Sequence, residues 1–172
     1  MAEPVALSRE GALQWARMSL SNLTTVDGLW FIELEDRYGI DLALEIDTIV
    51  WRRYGPIEAR RIREKMKVGD GLDGLEKALR LSAFFNAEGV GYELIRKDEN
   101  SLLCTVTDCR AQKARLRGGR TEFPCRGVSI AFFEGFVKAF GSDIQTKPLL
   151  CPPDEHTDDM WCQWLFTTDR ES

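Results

Sequence analysis

The chain has 172 residues, of which 44% are hydrophobic and 30% are charged, and its formal net charge is −5. These proportions are ordinary for a soluble globular protein. The negative charge argues against a dedicated nucleic-acid binder, and no apolar run is long enough to cross a bilayer. We therefore expect one domain over residues 1–172, with neither nucleic acid nor a membrane as a partner, and we leave a homo-oligomer open.

The first eleven residues, MAEPVALSREG, contain neither the basic region nor the apolar region of a secretory signal. We therefore expect a cytoplasmic protein. The chain has five cysteines, and this odd number in a reducing compartment is better explained by free thiols or metal ligands than by disulfides.

The N-terminal part of the chain, residues 8–85, shows apolar side chains at helical spacing. The Thr24-Thr25 pair offers a second helix start, and the Gly55-Pro56 pair is expected to end one helix and begin another. The five predicted helices cover residues 8–22, 26–38, 41–54, 57–66 and 75–85.

The apolar residues of these helices predict which side chains are buried. The first helix is expected to bury one stripe, formed by Leu13, Ala16, Leu20 and Leu23. Tryptophans at helical spacing usually pack in the core, so we expect burial of Trp15, Trp30 and Trp51. The alternative for this region is an apolar ligand pocket lined by Trp30, Phe31 and Trp51.

The second part of the chain, residues 90–168, changes to the alternating pattern of β-strands. Two alternating runs around the turn Asp98-Glu99-Asn100 predict a β-hairpin. A basic stretch at 110–120 is either a short helix or a loop. A helix over 123–140 and two strands at 144–150 and 161–168 complete an α+β fold, in which N-terminal helices precede a four-stranded, mostly antiparallel sheet with one packed helix.

The segment from Cys109 to Trp164 gathers most of the side chains that could carry chemistry. It contains the only histidine and four of the five cysteines: Cys109, Cys125, Cys151 and Cys162. None of these cysteines forms the close C-x2-C pair that is usual in structural zinc sites. The fold could still assemble the four into a site for zinc or iron. The alternative is that they pack as small hydrophobic side chains, which we expect for Cys104 and Cys162.

Basic residues surround two of these cysteines, Cys109 and Cys125. Positive charge stabilises a thiolate, and Cys125 stands at the predicted start of a helix, whose dipole acts in the same direction. These features predict a reactive thiolate and a small anionic ligand, such as a carboxylate, with Arg110 and Arg126 compensating its charge. The alternative is a solvated basic loop with inert thiols.

His156 lies in an acidic segment, PPDEHTDD, and any step that uses imidazole as acid or base must use it. It could form a Cys–His dyad, with Asp154 or Asp158 orienting its ring. It could also bind a metal beside Cys151, or simply be an exposed loop residue.

The order of these elements resembles the L-2-amino-thiazoline-4-carboxylic acid hydrolase superfamily. The segments that carry the resemblance are DENSLLCTVTDC, then FPC at a helix start, and then LLCPP and WCQWLF. They are closest to an uncharacterised branch of cytosolic bacterial and archaeal proteins. The superfamily has one cysteine at the end of the second strand, another at the start of the following helix and a third in the last strand, and these places match Cys109, Cys125 and Cys162. More distantly, the layout is similar to 4-vinyl reductase-like domains, which bind small molecules without turnover.

Two functions of different classes follow from these observations. The first is hydrolysis of a C–N bond in a small anionic substrate, in a pocket lined by Cys109, Cys125 and Trp164. Cys125, or Cys109, would be the nucleophile, with His156 as acid or base and Asp154 as its partner. The second is a metal-binding or ligand-sensing module without turnover, whose zinc or iron ligands would come from the four cysteines and His156.

Overall fold

A computed structural model describes residues 5–168, so residues 1–4 and 169–172 of the predicted domain lie outside the described residues. The helices are α1 (Arg9–Tyr38), α2 (Ile40–Met66), α3 (Gly71–Leu79), α4 (Ala83–Asn86), α5 (Arg110–Arg117) and α6 (Arg126–Val137). The strands are β1 (Gly91–Asp98), β2 (Ser101–Asp108), β3 (Ile144–Leu150) and β4 (Cys162–Thr168). The predicted α+β fold, with helices before an antiparallel four-stranded sheet, is confirmed.

The N-terminal helices are fewer and longer than the sequence predicts. The two helices predicted before Gly39 form one continuous helix, α1, in which both threonine hydroxyls donate to the Ser21 carbonyl of the previous turn, at 3.0 Å from Thr24 and 2.7 Å from Thr25. These bonds satisfy the hydroxyls without interrupting the helix. The predicted break at Gly55-Pro56 is also wrong, because α2 continues through that pair.

The Gly55-Pro56 pair serves the packing of α2 against α6. A Cβ atom at Gly55 would lie 2.5 Å from the carbonyl oxygen of Phe132, so α2 can approach the backbone of α6 only with glycine there. The proline ring in turn occupies the space beside Gly135, where a Cβ atom would lie 2.7 Å from Pro56 Cδ. The missing side chains therefore let the two helices cross in close contact.

The sheet has the strand order β1-β2-β4-β3, and all of its neighbouring strands are antiparallel. The centre of its inner face is apolar, since Cys104 pairs with Trp164 and Leu102 pairs with Phe166, and all four are buried. The helix α6 covers this face, with the ring of Phe133 centred 4.8 Å from that of Trp164. The expected packing role of Cys104 is confirmed.

The first helix is much more exposed than its sequence predicts. Only Ser21 and Phe31 are buried, whereas Trp15 and Trp30 are 59% and 69% exposed. The predicted stripe is also wrong, because Leu13 and Leu23 lie mostly in solvent. The physical reason is that no described element covers residues 12–18, all of which are exposed. No helix within residues 5–168 is both long enough and apolar enough to span a membrane.

The crossing of α2 and α6 can be tested by adding one methyl group. We expect Gly55→Ala to lower the free energy of unfolding by about 1–3 kcal/mol, because the new methyl meets a backbone carbonyl that cannot move aside. Gly127→Ala, in α6 but facing open space, is the control and should be neutral or raise stability by up to about 1 kcal/mol. Urea unfolding measures both, and equal effects would contradict this account of the crossing.

Candidate functional site

A cavity of about 820 Å³ lies between the N-terminal helices, α5, α6 and the inner face of the sheet. Its walls are largely apolar and include several aromatic rings, among them Phe31, Trp51, Phe132, Phe133 and Trp164. The rings of Trp51 and Phe132 make an edge contact, with centroids 5.6 Å apart, across the joint between α2 and α6. The close crossing of these two helices therefore also shapes the cavity.

An ion pair holds α5 against α1 at one side of the cavity. The guanidinium of Arg115 donates to both carboxylate oxygens of Glu35, at 2.7 and 3.0 Å, and both side chains are largely buried. The guanidinium carbon of Arg115 also lies 5.5 Å from the centre of the Phe31 ring. The hydrogen bonds from Arg115 hold the pKa of Glu35 below its usual range. This pair is bidentate and partly desolvated, so it positions α5 firmly.

Two other basic residues of α5, Arg110 and Lys113, are also engaged by the protein, whereas Arg117 lines the cavity and is exposed to solvent. Arg110 donates to the Glu88 carbonyl at 2.9 Å and to the Thr25 hydroxyl at 3.0 Å. Lys113 forms an ion pair with Asp108, at 2.8 Å. Arg110 does line the cavity, as predicted for a ligand-binding residue, but its two bonds lead to protein oxygens.

The cysteines predicted to form a site do come near one another. Cys109, Cys125 and Cys162 line the cavity, and Cys125 is the N-cap residue of α6. Cys151 is fully buried behind them, with its sulfur 3.7 Å from that of Cys125. The cavity wall at this point therefore consists of neighbouring thiols.

The protonation of these thiols differs from the prediction of a thiolate at Cys109. Burial raises the pKa of Cys109 to about 12, so the group is a neutral thiol at physiological pH. Contacts with Cys125 and then with Cys162 raise the pKa of Cys151. The basic residues expected to stabilise a Cys109 thiolate face carboxylates and carbonyls instead.

The geometry gives no support to a metal site. Within residues 5–168, no group of three or more histidine, cysteine, aspartate or glutamate side chains is placed to hold a metal ion. The metal ligands predicted from the sequence, namely Cys109, Cys125, Cys151, Cys162 and His156, are accordingly not proposed as a metal site.

Both ring nitrogens of His156 form hydrogen bonds with oxygen atoms and not with a cysteine sulfur. Its Nε2 lies 3.1 Å from a Glu122 carboxylate oxygen and its Nδ1 lies 3.0 Å from the Thr157 carbonyl. These two bonds raise the pKa of His156, that to Thr157 contributing most. The ring also packs on Trp161, with centroids 4.6 Å apart. Both ring nitrogens are thus engaged, so a dyad with a thiol would require one of these bonds to break.

Asp154 and Arg126 form an ion pair with each other, outside the residues that line the cavity. Asp154 also accepts a bond of 3.1 Å from the backbone of Cys151, and Arg126 donates to the carbonyl of the same residue at 3.1 Å. The bond from Arg126 holds the pKa of Asp154 below its usual range. Both side chains fix the loop after β3, while their predicted roles in catalysis and ligand binding stay predictions.

The sequence analysis did not predict that two carboxyl groups, those of Asp27 in α1 and Asp47 in α2, line the cavity. Burial raises the pKa of Asp27 to about 6. Burial, together with the charge of Asp27, raises the pKa of Asp47 to about 7, although Asp47 also accepts a hydrogen bond from Trp51. The sequence holds one sign that Asp47 faces inward. It lies four residues after Ala43 and four before Trp51, so the three share one face of α2, and Ala43 and Trp51 both face inward.

The fold and the site together define an α+β domain with a largely apolar cavity between its helices and its sheet. The chain belongs to the family of unknown function DUF6125, whose model matches residues 5–168. No curated protein matches the chain significantly.

The comparison with solved structures gives a similar fold in one case and a weaker match in another. One is the phenol-responsive sensory domain of the transcription activator PoxR with phenol, at 19% identity and a TM-score of 0.56, over 84% of this chain and 74% of that chain. The other is a trafficking protein particle complex subunit 3 from Naegleria fowleri covalently bound to palmitic acid. It is 11% identical, with a TM-score of 0.49, over 95% of this chain and 98% of that chain.

The two cavity carboxyls predict how stability depends on pH. Their folded pKa values lie above the usual value near 3.8, so the folded state holds extra protons and loses stability as the pH rises from about 4 through about 7. Asp47→Asn removes one of these charges. We therefore expect the variant to be more stable than the wild type by about 1–2 kcal/mol at pH 8, and by much less at pH 4.5.

Urea unfolding at the two pH values checks this prediction. The control is Glu45→Gln, an exposed carboxyl on the same helix, which should change stability little at either pH. An Asp47→Asn variant that loses stability at pH 8 would show that the charged carboxylate stabilises the fold.

Proposed function

We propose that this chain is a ligand-sensing domain that binds a small, largely apolar organic molecule in the cavity. The observation that carries the proposal is the cavity itself, about 820 Å³ in volume and lined by aromatic and aliphatic side chains from both parts of the chain. Ligand sites are typically concave, mostly apolar and of this size, with a small number of polar groups that orient the ligand.

The similarity to the PoxR domain supports the class of function and no particular ligand. That domain is described as phenol-responsive and sensory, and its structure contains phenol. A fold shared at 19% identity can carry different ligands, because specificity depends on the side chains of the site. A cytoplasmic location and a homo-oligomer stay predictions of the sequence.

Binding in the cavity can be tested by filling it. We expect Ser129→Leu, which adds bulk to the cavity wall of α6, to weaken the binding of small aromatic compounds by at least about tenfold. Glu134→Leu adds the same side chain to the exposed side of the same helix and should leave affinity within about twofold. Phenols, aromatic amines and aromatic acids are screened by thermal shift, and hits are measured by calorimetry.

The same two variants also test for a molecule carried through purification. Wild-type protein and Glu134→Leu protein should release the same compound on denaturation, detected by mass spectrometry, and Ser129→Leu protein should release less. Equal binding by both variants, in the screen and in the extraction, would overturn the proposal that the cavity is the ligand site.

Hydrolysis of a C–N bond, as implied by the resemblance to the thiazoline carboxylic acid hydrolases, is a second candidate. The observation that favours it is the position of Cys125, which caps α6 and lines the cavity. Its sulfur would attack the carbonyl carbon of an amide, and the C–N bond would break as the proton of the thiol passes to the leaving nitrogen. Water would then hydrolyse the resulting thioester to a carboxylic acid and restore the thiol.

The second candidate predicts an unusually reactive thiol. Cys104, Cys109 and Cys151 are buried, so we expect iodoacetamide at neutral pH to reach only the two partly buried thiols, Cys125 and Cys162. If Cys125 is the nucleophile, it should react faster than a free cysteine peptide and faster than Cys162. Peptide mapping over time measures the rate, with Cys125→Ser as the control. A rate below that of the free peptide would remove the hydrolase candidate and leave the sensing proposal intact.

A further inference from the structure

The cavity has a polar region formed by two carboxyl groups from neighbouring helices. Asp27 comes from α1 and Asp47 from α2, and both line the cavity. The indole of Trp51 donates a hydrogen bond to Asp47. Two carboxylates in one partly buried site repel each other, so they favour a proton or a cation near them.

The protein supplies no cation to these two carboxyls. Within residues 5–168, neither Asp27 nor Asp47 has an ion-pair partner. By contrast, Arg115 and Lys113 of α5, which also line the cavity, are paired with carboxylates of the protein. Arg110 and Arg117 also line the cavity, but Arg110 is hydrogen-bonded to two uncharged oxygens of the protein and Arg117 is exposed to solvent. The partly buried charge that α1 and α2 contribute to the cavity is the negative charge of Asp27 and Asp47.

The apolar part of the wall also suits a cation. Trp51 connects the acidic region to the rest of the cavity, because its ring lies beside that of Phe132 and its indole nitrogen bonds to Asp47. The faces of tryptophan and phenylalanine rings attract ammonium groups, most strongly where water is excluded. Carboxylates beside aromatic rings thus provide both charge and surface for an organic amine.

We infer that the cavity takes an apolar molecule that carries a protonated amine, with its ammonium group held by Asp27 and Asp47. This inference rests on the proposed ligand-binding function and adds the chemical class of the ligand. The ligand's apolar part then lies against the rings of Trp51 and Phe132, and its charge replaces the proton that the carboxyls otherwise bind.

The test compares three probes that share one apolar frame: 4-phenylbutylamine, 4-phenylbutan-1-ol and 4-phenylbutanoate. Calorimetry at pH 8 should show the amine binding about tenfold more tightly than the alcohol, and the carboxylate binding more weakly than either. In Asp47→Asn and Asp27→Asn protein, the affinity for the amine should fall to that of the alcohol, while the affinity for the alcohol stays unchanged. Glu45→Gln, outside the cavity on α2, is the matched control and should keep the preference for the amine.

The outcomes separate this inference from the proposed function. If the alcohol or the carboxylate binds as tightly as the amine and Ser129→Leu weakens that binding, the ligand class is wrong and the cavity is still the ligand site. If the preference for the amine persists in both aspartate variants, other groups hold the ammonium and the inference fails. If the amine does not bind at millimolar concentration, the inference also fails, and the extraction experiment decides separately whether the cavity holds a ligand.

Discussion

The close approach of α2 and α6 is the contact on which the rest of the structure depends. It requires two glycines, Gly55 and Gly135, and the ring of Pro56 fills the space that the second of them leaves. Once the helices are at this distance, α6 can place Phe133 on the sheet and Phe132 against Trp51. The core of the domain and one wall of the cavity are therefore built by the same few residues.

Charge is distributed unevenly around the cavity. Three basic residues of α5, namely Arg110, Lys113 and Arg115, contact oxygen atoms of α1, β2 and the connections between elements, and Arg115 with Glu35 is the most buried example. Asp27 and Asp47 have no such match among the described residues, and burial raises their pKa values as a result. A group that is costly for the folded protein to leave charged is often a group that serves a ligand.

The architecture was predictable because its signals are local. The alternation of apolar and polar residues predicted the four strands, and apolar residues at helical spacing predicted the helical part, since each pattern follows from the geometry of a single element. The helix ends were not predictable. Thr24, Thr25 and Pro56 look like helix starts or breaks in the sequence, and whether a helix continues through them depends on tertiary contacts. The prediction that the tryptophans of α1 are buried failed for the same reason, since whether Trp15 and Trp30 contact another element depends on tertiary packing.

The candidate site was predictable only in part. The sequence pointed to the thiols, and three of them do line the cavity, because cysteine is rare and its clustering is visible in one dimension. It could not reveal that His156 would bind Glu122, or that three of the basic residues of α5 would find partners inside the protein. The two carboxyls were missed because an aspartate in an amphipathic helix ordinarily faces water, and only the packing of α1 beside α2 turns these inward.

The wall of the cavity draws on α1 near one end of the described chain and on β4 near the other, with Thr24 and Trp164 as its outermost contributors. An occupant therefore touches segments that are separated by almost the whole polypeptide. Neither part alone offers it a complete surface, so occupancy favours the assembled state over every partially opened one. A ligand that filled this space would act as an internal tether, and the resistance of the whole fold to unfolding would then measure how much of that ligand is present.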